Sequence, residues 1–170
     1  MEKTKILVWS KVRWANAIQF IIFMGIVIAA PYFLNQAITG PLVNAMLFLA
    51  TIFLGARSAI LIGLTPSLVS ISTGLLPLPL APMIPFIMVG NTLLILSFDL
   101  LRKKNYWLGM LSASAIKFLF LFSMASIVTS LILKDAIAVQ AAKMLGLPQL
   151  LTALAGGILA YLFLKVIKKV

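Results

Sequence analysis

Residues 107–133 read WLGMLSASAIKFLFLFSMASIVTSLIL, an apolar run broken by one full charge, Lys117. About 20 predominantly apolar residues cross a hydrocarbon core of ~30 Å as a helix. Counted from Trp107 at ~1.5 Å per residue, Lys117 lies about 15 Å in, near mid-membrane. A lysine there is costly, so such residues usually face the bundle interior and mark a ligand, ion or proton path.

The rest of the chain repeats the apolar pattern. Further runs cover Ala15–Leu34, Pro41–Gly55, Ala56–Leu76, Met83–Leu101 and Pro148–Ile167, with a proline-rich turn over Pro77–Pro82. The 170 residues are 63% hydrophobic and only 10% charged, too little charge to cover a soluble domain of this size. The expected fold is therefore all-α: one domain over residues 1–170, an integral membrane bundle of six transmembrane helices. The second run is the shortest and is expected to continue toward Arg57 or to lie tilted. A cleaved signal peptide competes for the first run, but Pro31 after Ile28-Ala29-Ala30 and the continuing apolar stretch favour a retained helix. Asp135–Gly146 mixes Asp135, Gln140 and Lys143 with small apolar residues, as an interfacial helix or structured outer loop would.

Charge sets the orientation. Lys3, Lys5, Lys11, Arg13, Arg57, Arg102, Lys103, Lys104, Lys165, Lys168 and Lys169 fall on one side of a six-crossing bundle, and only Lys134 and Lys143 on the other. The positive-inside rule puts both termini in the cytoplasm, with residues 1–14 as a basic amino-terminal segment. Trp9, Trp14, Tyr106, Trp107 and Tyr161 lie near that side, as an aromatic belt would. The net charge of +11 is clustered at the ends of apolar runs and not along a polar face, which argues against nucleic acid as a partner.

Composition also narrows the chemistry. The chain has no cysteine, no histidine and three acids, Glu2, Asp99 and Asp135, so no metal or haem site and no other cofactor is expected. Six crossings put Asp99 and Asp135 on opposite sides, which removes paired-carboxylate catalysis. No phosphate-cradling Gly-x-x-x-x-Gly-Lys-Ser/Thr loop is present, so the chain is not expected to hydrolyse ATP or to act as an enzyme.

Asn91, counted back from Arg102, lies about 16 Å deep, level with Lys117 on the next helix. Its amide is expected to accept from the amine, and both can address a polar ligand. The alternative is that Asn91 and Lys117 only brace the helices. Asp99 is three residues from Arg102 and is expected to pair with it locally. In the third run Pro66 frees a backbone carbonyl, and hydroxyls surround it; Thr65 is a candidate ligand contact, although small hydroxyls more often serve packing. Gln149 and Thr152, at the outer end of the last run, can face an outward cavity. Ala153, Gly156, Gly157 and Ala160 read as a packing surface, and Gly25 with Ala29 as a close-approach pair for a neighbouring helix or a partner protein. The outer half has polar loops with Asn35, Gln36 and Thr39, and the inner half is apolar and ringed by cations. A cavity opening outward, with Lys117 as its buried charge, suits an anionic or carbonyl-rich solute.

The stretch Ala81-Pro-Met-Ile-Pro-Phe-Ile-Met-Val-Gly-Asn91, the Lys117-Phe-Leu motif and Pro148-Gln-Leu-Leu-Thr-Ala-Leu-Ala-Gly-Gly157 resemble the substrate-binding (S) components of energy-coupling factor (ECF) transporters. The segment from Asn44 to Gly55-Ala56-Arg57 is similar to theirs too, and the resemblance extends from about Gly40 to the end of the chain. It implies high-affinity capture of a vitamin or similar micronutrient at a prokaryotic cytoplasmic membrane. It also implies partners, a transmembrane coupling subunit and two cytoplasmic ATPases, and a binding subunit that topples to release its solute. Asn91 and Lys117 match polar positions of such sites, and Gln149 and Thr152 match more weakly. The chain departs from the family in lacking its first-helix Ala-x-x-x-Ala coupling motif; Gly25 and Ala29 are the nearest substitute.

Overall fold

The computed structural model describes residues 2–33, 35–132 and 144–169. It contains α1 (Glu2–Phe33), α2 (Gln36–Phe53), α3 (Ala56–Ser72), a 3-10 helix (Leu78–Met83), α4 (Ile84–Leu101), α5 (Tyr106–Ile132) and α6 (Leu147–Val166), and no strand among the described residues. Five helical stretches are long and apolar enough to cross a membrane: Trp14–Phe33, Gln36–Phe53, Leu78–Leu101, Tyr106–Val128 and Leu147–Val166. The Ala56–Ser72 helix is apolar but shorter. This is the pattern of a multi-pass helical membrane bundle. Of the Asp135–Gly146 segment expected to form an interfacial helix or outer loop, residues 135–143 lie outside the described ones, as does Lys134.

Two boundaries differ from the sequence reading. The shortest helix is α3, with 17 residues, and not α2, with 18. The reason lies at the start of α2. Asn35 caps it, its side chain accepting from Ile38 N at 3.2 Å, which brings Gln36 and Thr39 out of the expected loop and into the first turns. The first helix also runs unbroken from Glu2, so the basic amino-terminal segment continues α1.

Helices α2, α3, α4, α5 and α6 form a closed ring, each packed on the next and α6 back on α2. Helix α1 lies outside the ring against α2 and α3, where Val27 and Ala30 are buried. The backbones of α2 and α6 approach closely. A Cβ on Gly156 would come within 2.7 Å of Pro41 O and 2.8 Å of Ala45 N, so only glycine lets these two backbones meet there. Gly157 instead opposes the side chain of Met110 on α5. The sequence reading of this surface as packing matches the structure.

One end of the ring is closed by aromatic contacts. Phe98 stands edge-on to Phe48 and to Tyr106, and Tyr106, Trp107 and Tyr161 cluster with centroids 4.6–5.8 Å apart. Tyr106 donates to Gly157 O at 2.6 Å. The residues read as a belt therefore also tie α5 to α6. Nearby, Arg102 pairs with Asp99 at 2.7 Å, as its spacing predicts. The chain turns from α2 into α3 at Gly55, whose φ of 83° suits a residue without a side chain.

Candidate functional site

At the opposite end the ring opens into a cavity of about 100 Å³. It is lined by Gln36 at the start of α2, Leu75 and Leu76 after α3, Met144 and Leu145, and Gln149 at the start of α6. Its buried end is formed by Asn44 of α2, Asn91 of α4 and Lys117 of α5, exposed by 2%, 3% and 3%. Three polar side chains from three helices thus converge on one space whose walls include Val43, Pro66, Leu76, Ile87 and Leu145.

The hydrogen bonds orient these groups. Lys117 Nζ donates to Asn44 Oδ1 at 2.7 Å, and Asn44 Nδ2 donates to Gly40 O at 2.9 Å. A backbone carbonyl only accepts, so the second bond fixes the amide with its oxygen toward the lysine. Asn91 Nδ2 donates to Gly63 O at 2.8 Å, which likewise fixes that amide; no donor from the described residues meets its Oδ1. The pairing expected from depth, Asn91 with Lys117, is therefore replaced by Asn44 with Lys117. Helix α5 packs on α4 and α6, and the long lysine stem reaches across the ring to α2.

Pro66 explains where the Thr65 hydroxyl is used. A proline has no N–H to give Ile62 O, and that carbonyl accepts from Thr65 Oγ1 at 2.9 Å. The next carbonyl along, Gly63 O, is the one that takes Asn91. Thr65 also donates to Met24 Sδ of α1 at 3.4 Å and is absent from the cavity lining, so it serves the proline break and not the cavity.

Gln149 lines the cavity and donates to Met144 O at 3.2 Å. Thr152 does not line it: its hydroxyl donates to Gln149 O at 3.2 Å, and its methyl lies where a Cβ on Gly40 would come within 2.7 Å. It is a packing residue between α6 and α2. Gly25 and Ala29 lie on the open side of α1, and nothing of this chain comes within 4 Å of a Cβ built on Gly25.

Sequence reasoning passed over Asn44 as a polar group of the site, along with Ser67 and Ser70, which line the cavity and donate to Leu64 O and Pro66 O at 3.4 and 2.7 Å. For Asn44 a signal existed: an amide inside an apolar run, four residues after Gly40, whose missing side chain exposes a carbonyl. On α5, one turn before Lys117, Ser114 buries a hydroxyl with no hydrogen-bond partner among the described residues. No cluster of metal-binding side chains occurs among the described residues, and none of those lining the cavity carries a carboxylate, imidazole or thiol. The arrangement can bind and orient a molecule. Comparison with protein families, curated proteins and solved structures finds no match to this chain.

Proposed function

We propose that the chain is the solute-binding subunit of an uptake system in a prokaryotic cytoplasmic membrane, of the ECF S-component kind. It crosses the membrane six times with both termini inside, and it takes a small organic micronutrient from outside. The observation that carries this reading is Lys117: buried to 3% exposure at the end of an open cavity, with one neutral acceptor, Asn44. An amine at this depth costs about 3 kcal/mol or more, so its presence points to a task, and solute capture is the task the cavity supports. The chain binds and does not drive transport; a coupling subunit and two ATPases supply the motor.

Native mass spectrometry of the gently purified chain is expected to show a co-purifying small molecule, and Lys117→Ala is expected to lose it while staying folded. A folded Lys117→Ala protein that keeps the same molecule at the same occupancy would remove Lys117 from the site.

A second reading has its own observation. Lys117–Asn44 and Asn91–Gly63 are both helix-to-helix bonds, which is what an internal brace in a structural or assembly subunit would show. On that reading the purified chain carries no small molecule and Lys117→Met leaves function intact.

A further inference from the structure

The polar groups of the cavity are unequally committed. The Asn44 amide is engaged at both ends, its nitrogen donating to Gly40 O and its oxygen accepting from Lys117. Lys117 Nζ has three donors as an ammonium and meets one acceptor among the described residues. Asn91 has its nitrogen on Gly63 O and its oxygen unclaimed among the described residues. No acid lines the cavity among the described residues. A carboxylate beside Lys117 would neutralise it; this site has a carboxamide of the same shape instead, which orients the amine and leaves its charge uncompensated.

From this we infer that the cavity takes a compact monoanion. Its anionic oxygens take the spare N–H groups of Lys117, an N–H or O–H beside them is received by Asn91 Oδ1, and an apolar body lies against Val43, Ile87 and Leu145. The inference rests on the reading of the cavity as a solute site and adds the charge and size of the solute. Size follows from volume: at the ~10–15 Å³ each water needs, about 100 Å³ holds roughly seven to ten waters, so the solute has on the order of ten non-hydrogen atoms. Asn44 is then the residue that sets charge preference. Asn44→Asp keeps the shape and puts an ion pair where the free charge was, so it repels the anion that the wild type attracts.

Three probes of nearly equal size separate the possibilities: benzoate, benzamide and benzylammonium. They are titrated by calorimetry against the full chain in lipid nanodiscs, with native mass spectrometry of the protein as purified. Saturable binding of benzoate is expected, at least tenfold tighter than benzamide or benzylammonium, and at least tenfold weaker in Asn44→Asp. Benzamide or benzylammonium binding as well as benzoate overturns the inference, as does a folded Asn44→Asp protein with unchanged benzoate affinity. If Asn44→Asp fails to fold, the probe series on the wild type decides alone. A neutral or cationic co-purifying molecule displaced by the probes overturns the anion and leaves the solute site standing. No probe binding and no co-purifying molecule overturns both.

Discussion

At the residue scale the central fact is a lysine paired with an amide and not with an acid. The pair is tested by a double-mutant cycle. Asn44→Leu removes the one acceptor that the amine has among the described residues, and leaving a buried donor unpaired costs about 1–3 kcal/mol. Lys117→Met together with Asn44→Leu removes both partners and is expected to recover most of that loss, because two apolar side chains of similar size leave nothing unsatisfied. Additive losses in a denaturation series would show that the two side chains are not coupled. Asn91→Leu, which strips the cap from Gly63 O beside Pro66, is expected to cost about 1–2 kcal/mol independently of that cycle, again read from denaturation midpoints. The sequence made Lys117 conspicuous because one charge in an apolar run needs no neighbours to be noticed. Its partner was hidden because depth along a helix can be counted from residues but rotation about the axis cannot. The depth count therefore chose Asn91 on the adjoining helix, whereas the amine reaches Asn44, distant in sequence and across the ring.

At the element scale, three glycines give an ordered prediction. Gly156→Ala places a methyl against Pro41 O, Ala45 N and the Cβ of Asn44, atoms that cannot move unless α2 and α6 separate, so it should destabilise by about 1–3 kcal/mol. If the cavity is a solute site, it should also weaken binding there, since Asn44 moves with α2. Gly157→Ala meets the flexible side chain of Met110 and should cost less. Gly25→Ala meets nothing in this chain and should leave stability unchanged or slightly raised, as alanine favours helix over glycine. If Gly25 docks a coupling subunit, the same substitution should reduce co-purification with that subunit. Thermal stability of the three variants in one detergent checks the order; Gly25→Ala as the least stable of them would refute it. The elements themselves were legible from apolar runs, the proline-rich turn and the small-residue surface of α6. The start of α2 was not, because Asn35, Gln36 and Thr39 have the composition of a loop and become helix only when the Asn35 side chain caps Ile38 N.

At the scale of the whole molecule, a ring of five helices with α1 outside has two unlike ends. One holds the cavity mouth, with Gln36, Leu76 and Gln149. The other holds Arg57, Arg102, Lys103, Lys104 and Lys165–Lys169, next to the Tyr106–Trp107–Tyr161 cluster. If the basic end lies in the cytoplasm, as the positive-inside rule requires, the cavity opens outward, the direction that uptake needs. The sequence itself offers a clean test, because it contains no cysteine and any introduced thiol is the only one. Ser72 is exposed near the mouth, and Lys103 and Lys168 are exposed at the basic end. Ser72→Cys should react with a membrane-impermeant maleimide on intact cells, whereas Lys103→Cys and Lys168→Cys should react only after permeabilisation. Labelling of Lys168→Cys from outside while Lys103→Cys stays protected would mean that the last helix does not return to the cytoplasm. Labelling of both basic-end positions from outside, with Ser72→Cys protected, would turn the cavity inward and rule out capture from the external medium through this mouth.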